Sequence, residues 1–245
     1  MATSAIVRLK SAVKESLIRN GGERLVVLFW KLRGKDVSYL ASGTRAERFK
    51  QIYRDGVWII HDSDAPLSGL GSSLSATEAL RSSLPVLLSD LDVRTLVDVG
   101  CGDFTWMSHT SLALDRYTGI DIVPEVIEAN KISHASANRS FIVMDVCETI
   151  PPMADAILCR EVLFHLSFKD ADRALRNIRQ SGAVFLLASS DPKIARNTDI
   201  PSGDFRDINL SIAPYSLGQP IQSIPETGGP NRNRLLAVWR LAEII

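Results

Sequence analysis

The chain has 245 residues, 45% of them apolar and 23% charged, which suits one globular α/β domain with a modest extension. Its 28 basic and 28 acidic side chains cancel, and this argues against a nucleic-acid partner. No run of about 18 apolar residues occurs, so no membrane-spanning helix is expected.

The charge is uneven along the chain. Between Met1 and Lys35, eight basic residues (Arg8, Lys10, Lys14, Arg19, Arg24, Lys31, Arg33 and Lys35) face only Glu15 and Glu23. Residues 5–18 and 23–32 carry apolar positions at helical spacing, separated by Asn20-Gly21-Gly22. The apolar stretch 25–32 is short, broken by Lys31, and begins too late for a secretory signal. This basic arm reads either as a solvated helical extension or as an amphipathic arm in peripheral contact with anionic lipid. Residues 44–54 read as a further helix. A loop of small residues follows at 68–73 and, with Trp58 and His61, reads as a lid. Helical periodicity resumes over 77–91. Residues 1–92 are thus expected to form a helical extension and lid, and residues 93–245 the main domain.

From Arg94 short strands alternate with helices. Strands are predicted at 95–99, 117–122, 140–144, 155–159 and 183–188, and helices at 104–114, 124–133 and 168–180. Pro124 suits a first helical position, and Ser167 with Asp170 resembles a capping box. Residues 191–219 lack a period, and 220–225 with 235–241 read as a hairpin around Thr227-Gly228-Gly229-Pro230. Alternation of this kind implies a Rossmann-like, mostly parallel sheet with helices on both faces, here ending in an antiparallel strand. Cys101, Cys147 and Cys159 are odd in number and flanked by apolar runs. They read as buried reduced thiols of a cytoplasmic protein. No CxxC or HExxH spacing supports a zinc site, and Asp199, Asp204 and Asp207 are too loosely spaced to demand magnesium, so no metal is expected.

Asp98-Val99-Gly100-Cys101-Gly102-Asp103 directly follows the first predicted strand and opens a helix. Its glycines permit a sharp turn and close approach of a ligand. Asp121 ends the second strand, 19 positions after Gly102, where an acidic side chain grips ribose hydroxyls. A dinucleotide fingerprint would place a third glycine at position 105, which is Thr105. Asp98 and Asp103 would repel a pyrophosphate at this turn but attract a sulfonium or an ammonium. The charge pattern therefore favours S-adenosylmethionine over NAD.

Val97–Gly102, Gly119-Ile120-Asp121, Met144-Asp145 and Asp155–Glu161 resemble, in order, the motifs of class I S-adenosylmethionine-dependent methyltransferases. The resemblance implies a seven-stranded sheet with an antiparallel last strand. By position it places Gly100 and Gly102 beneath the methionine part, Asp98 near the amino group, Asp121 on the ribose, and Asp145 with Val146 at the adenine. Cys101, Ile122 and Arg160 complete the cofactor set. The third glycine of this loop is replaced by Phe104. A narrower resemblance, in Cys101–Met107, Cys159–Leu166 and Gly203-Asp204-Phe205-Arg206 with Asn209-Leu210, is to small methyltransferases of glycan and polysaccharide biosynthesis. It points to a sugar or related small-molecule acceptor.

A hydroxyl acceptor must lose a proton, so a base is sought beyond the fourth strand. His165 is the candidate base, with Glu161 four residues earlier on the same face of a helical turn orienting it or the acceptor. Packing beside Phe164 and Phe168 is the competing role for His165, and an ion pair with Glu161 or Asp204 that for Arg160. Acceptor contacts are assigned to Trp58, Trp106, Asp204, Arg206 and Asn209, with core packing as the alternative for the two tryptophans. Other readings keep a place: an N-methyltransferase, a non-catalytic cofactor-binding subunit, and an NAD-dependent oxidoreductase. The absence of an Asn-Pro-Pro-Tyr sequence after the fourth strand disfavours adenine or glutamine nitrogen as acceptor. A homodimer through the N-terminal helices is a further expectation.

Overall fold

The computed structural model describes residues 13–41, 43–59, 65–228 and 233–243. The first part of the helix expected over 5–18, His61 of the expected lid, and Gly229 and Pro230 of the expected hairpin turn lie outside the described residues.

Seven strands form one sheet: β1 (Thr95–Val99), β2 (Arg116–Asp121), β3 (Arg139–Val143), β4 (Ala156–Cys159), β5 (Phe185–Ser190), β6 (Gln222–Pro225) and β7 (Leu235–Arg240). Their order is β3-β2-β1-β4-β5-β7-β6. The pairings β1–β2, β1–β4, β2–β3 and β4–β5 are parallel, and β7 runs antiparallel to both β5 and β6. Alternate residues of a strand point to opposite faces, and the core follows that period. Val97, Val99, Ile157, Cys159, Leu186 and Ala188 join one apolar cluster, while Leu96, Ala156, Leu158, Phe185 and Leu187 join the other. Both faces are covered, which is why these strands read as continuous apolar runs.

The helical segment 13–19 (α1) and helix α2 (Glu23–Leu32) precede α3 (Arg45–Arg54) and α4 (Glu78–Asp90). Helices α5 (Thr105–Ser108), α6 (Pro124–His134) and α7 (Phe168–Gln180) follow β1, β2 and β4. A capping box starts α3: Thr44 Oγ1 accepts from the Glu47 amide, and Glu47 accepts from the Thr44 amide at 2.9 Å. Its Phe49 and Ile52 bury into the cluster that holds β1, β4 and α7. Ser167 caps α7 through the Asp170 amide, but no reciprocal bond forms, because Asp170 instead accepts from Ser202 Oγ and pairs with Arg45.

The helix predicted over 104–114 stops at Ser108. Ser108 and His109 side chains bond the Thr105 carbonyl, and Thr110 Oγ1 bonds that of Trp106. Side chains thus take the carbonyls that a longer helix would use. Phe104, at the missing third glycine, keeps the left-handed backbone with φ 61°. Its ring is fully buried against Tyr117, Phe141 and His134, with Arg139 over its face. Relief of the left-handed strain returns about 1 kcal/mol, whereas removing a buried phenyl costs about 3–5 kcal/mol. Phe104→Gly should therefore destabilise by about 2–4 kcal/mol in denaturant unfolding; a stabilised variant would mean that strain outweighs burial.

Candidate active site

The turn after β1 is shaped by conformations that side chains resist. Gly100 and Gly102 have φ of 69° and 56°. A Cβ on Gly100 would lie 2.3 Å from Val162 Cγ2, and one on Gly102 would lie 2.2 Å from Ser68 Oγ. At the end of β2, Asp121 accepts from the Gly102 amide at 3.1 Å and the Val123 amide at 3.0 Å. Burial holds its carboxyl up at about 6 despite those bonds. Asp98 is buried deeper in the turn and accepts from the Tyr117 hydroxyl at 2.5 Å. Burial pushes it up to about 7, against the pull of that hydroxyl and of Arg160.

These residues surround one cleft at the carboxyl ends of the parallel strands, where ligands of open α/β sheets bind. The residues expected from the sequence to meet the cofactor, Asp98, Gly100, Cys101, Gly102, Asp121, Ile122, Asp145, Val146 and Arg160, all line it. Trp58, Trp106, Glu161 and His165 line it as well.

Three further side chains, Ser68, Tyr53 and Arg45, line the cleft, and of these only Ser68 lies in a segment the sequence singled out as a lid. Ser68 of the small-residue loop donates its amide to Asp103 at 3.1 Å and accepts the Asp103 amide at 2.8 Å, which latches the loop over the glycine turn. Tyr53 meets Ser68 Oγ at 3.2 Å. Arg45, at the start of α3, pairs with Asp145 at 2.7 Å and with Asp170 at 2.6 Å. Asp145 also accepts the Cys147 amide at 2.9 Å. Arg160 is buried and donates twice to Glu226, at 2.7 and 3.0 Å, and once to the Gly71 carbonyl at 2.9 Å. Glu161 lies 3.5 Å from Arg160, so the ion pair is formed chiefly with Glu226 and not with Asp204. The guanidinium also covers the Trp106 ring at 5.4 Å, and Trp106 is buried in the core.

Glu161 and His165 do not share an α-helical face. Glu161 takes a left-handed backbone, φ 58°, and a short 3-10 turn, Leu163–His165, follows. The two side chains nonetheless meet at the same cleft. Burial opposes ionisation of Glu161, but the guanidiniums of Arg160 and Arg234 outweigh it and hold the carboxyl below its ordinary range. Arg234 donates to Glu161 at 2.7 Å and to Asp207 at 2.8 Å. His165 Nδ1 bonds the Asp204 backbone carbonyl at 3.0 Å. A carbonyl only accepts, so Nδ1 carries the proton and Nε2 is the basic atom. Burial lowers the imidazole to about 4, so it is neutral at physiological pH.

A second, shallower pocket adjoins the first and shares Trp58, Ser68, Glu161 and His165 with it. Tyr39, Phe205, Asp36, Ser38, Asp55 and Asp204 add to its polar and aromatic walls, with Arg234 beside Glu161 as a cation among them. Arg206 and Asn209 are not among its lining residues. Arg206 donates to the Leu163 and Phe164 carbonyls and to the Tyr215 hydroxyl, bracing the 3-10 turn beneath His165. Asn209 exchanges bonds with Asn197, Ile194 and Ser211. Among the described residues no group of three or more His, Cys, Asp or Glu is placed to hold a metal ion. Asp199 instead accepts from the Phe168 and Ile200 amides, and Asp207 from Arg234. The described cysteines are all buried thiols.

A glycine cradle, a buried acid at the end of β2 and this strand order define a Rossmann-like methyltransferase fold. Residues 97–182 match the family described as a methyltransferase domain, and S-adenosylmethionine is the cofactor that this match supports. The magnesium protoporphyrin IX methyltransferase ChlM from Synechocystis PCC 6803, solved with bound S-adenosylmethionine, superposes with a TM-score of 0.59 at 15% identity, over 82% of this chain and 99% of that one. The N-methyltransferase NodS from Bradyrhizobium japonicum WM9, in complex with S-adenosylhomocysteine, gives 0.53 at 17% identity, over 78% and 98%. The [4+2]-cyclase SpnF gives 0.51 at 16% identity, over 76% and 78%. Such likeness is one of fold, which hosts more than one chemistry. No curated protein matches the chain by sequence. Among the described residues no helix is long and apolar enough to cross a membrane.

Proposed function

We propose that this protein transfers the methyl group of S-adenosylmethionine to a hydroxyl of a sugar, oligosaccharide or related small molecule seated in the outer pocket. The observation that carries this reading is His165: one neutral imidazole, fixed through Nδ1, borders both the cofactor cleft and the outer pocket. When bound, the cofactor supplies a methyl group activated by its sulfonium. The residues then have to hold the acceptor oxygen in line and accept its proton. Nε2 of His165 is the atom for that proton, while Trp58, Tyr39 and Phe205 offer faces for a sugar ring and Asp204 an acceptor for its hydroxyls. The residues fit the cofactor: the glycine turn leaves no room for a Cβ, and two buried carboxyls, Asp98 and Asp121, suit an ammonium and a ribose.

A second reading, methylation of an amine, is favoured by one feature: Asp36, Asp55 and Asp204 line the outer pocket with aromatic rings, a set that also suits an ammonium. Incubation with S-adenosylmethionine carrying a 13C methyl and a panel of sugars, glycans and amino sugars separates the two, because the methyl carbon resonates differently on oxygen and nitrogen. Oxygen-linked product is expected. A nitrogen-linked product, or failure to bind S-adenosylhomocysteine at millimolar concentration, would overturn the proposal.

The cleft also dictates a pH dependence. Asp98 keeps its proton up to about 7 in the free protein, so its contribution to stability is full at acid pH and is lost as pH rises through 7. An ammonium binds the ionised carboxylate. Affinity for S-adenosylhomocysteine should therefore fall about tenfold per unit below pH 7, and the thermal shift it induces should grow between about pH 5.5 and 8. A pH-independent dissociation constant measured by calorimetry would remove Asp98 from the ammonium contact.

A further inference from the structure

Helix α2 is amphipathic in an inverted sense. Its inner side packs by Val27 and Trp30 against Val37, Leu40 and Tyr39, Val26 is buried beside them in sequence, and Glu23 ties the helix to Arg48. Its outward side, which a soluble helix would make polar, carries Leu25, Leu28, Phe29 and Leu32, exposed by 59, 51, 53 and 78%. They recur at i, i+3, i+4 and i+7 and so form one continuous stripe. Basic side chains flank it. At 100° per residue Arg24 and Lys31 fall on one side and Arg33 on the other, and Lys35 follows the helix end; all four are exposed. Arg33 lies over the Phe29 ring at 5.0 Å and Lys35 over Trp30 at 5.1 Å.

We propose that this face of α2 docks the protein on an anionic membrane surface. Apolar side chains between cationic flanks match the acyl boundary and the acidic headgroups of such a surface together. A second copy of the same face offers no charge complement. It would set arginines and lysines against each other, and the helix's one acidic residue, Glu23, is spent on Arg48. The residues directly after α2, Asp36, Ser38 and Tyr39, line the outer pocket, so docking brings that pocket to the bilayer.

Flotation of the full chain with vesicles of phosphatidylcholine alone, and with added phosphatidylglycerol, tests the docking without reference to catalysis. Binding is expected to the phosphatidylglycerol vesicles only and to weaken with salt. Phe29→Glu with Leu32→Glu should abolish it, and Arg24→Gln with Lys31→Gln should weaken it about 25-fold, roughly fivefold per charge. Unchanged thermal midpoints establish that the variants fold. Three results would overturn the proposal: no binding to anionic vesicles, equal binding to neutral ones, or a wild-type dimer by light scattering that Phe29→Glu dissociates.

Discussion

Glu226→Ala should lower the unfolding free energy by about 3 kcal/mol, because it strands a guanidinium in the interior. Glu226 is fully engaged: Arg160 donates twice to one carboxylate oxygen, and the Ser189 hydroxyl donates to the other at 2.9 Å. Without it, buried Arg160 keeps one close hydrogen bond, to the Gly71 carbonyl, with Glu161 at 3.5 Å, the Trp106 ring face and the field of Asp98. Glu226→Gln, which preserves shape and an acceptor, should cost less than half as much. Arg160→Met combined with Glu226→Leu should recover stability to within about 1 kcal/mol of the parent, since two apolar groups leave no charge behind. That double variant loses the bond to the Gly71 carbonyl of the 68–73 loop, so its affinity for S-adenosylhomocysteine should fall even where its stability recovers. Urea unfolding together with calorimetry reads both. A loss below about 1 kcal/mol for Glu226→Ala would mean that water or Glu161 satisfies Arg160 unaided.

Much of the fold was legible because the strands are buried on both faces. Thr95–Val99 needed only its apolar run to be recognised, while the strand expected at 183–188 runs over Phe185–Ser190, because its last two residues are serines that no apolar run marks; Gly100, Gly102 and Asp121 stood at the spacing a nucleoside site requires. Legibility failed where side chains replace backbone periodicity. The helix after β1 was drawn too long because Ser108, His109 and Thr110 end it through their own hydrogen bonds, which no apolar period records. Glu161 and His165 were set on a helical face by their spacing, whereas a left-handed Glu161 and a 3-10 turn bring them together by another route. The closing residues were illegible for a different reason. Arg45 reaches Asp145 across 100 positions, Arg160 reaches Glu226 across 66, and Glu161 meets Arg234 across 73. Only the folded sheet makes them neighbours.

His165→Asn should lower kcat by about 100- to 10,000-fold, the contribution expected of a positioned general base. The amide of Asn can still donate to the Asp204 carbonyl, so the local bond is retained while Nε2 is lost. Affinity for S-adenosylhomocysteine should hold within about threefold, because the cradle is formed by other elements. The depressed imidazole sets the accompanying pH profile. With burial holding it near 4, the ring is unprotonated throughout the neutral range, and kcat at saturating substrates should be flat from about pH 6 to 8. An ordinary imidazole would impose a rise across that interval. So weak a base is adequate because the acceptor hydroxyl becomes acidic only as its oxygen bonds to the methyl carbon, so the proton moves late and downhill. Unchanged turnover in His165→Asn with a confirmed acceptor would leave the histidine a packing role against Trp58 and Phe205, at ring separations of 4.8 and 5.4 Å, and would move the search for a base to the carboxylates of the outer pocket.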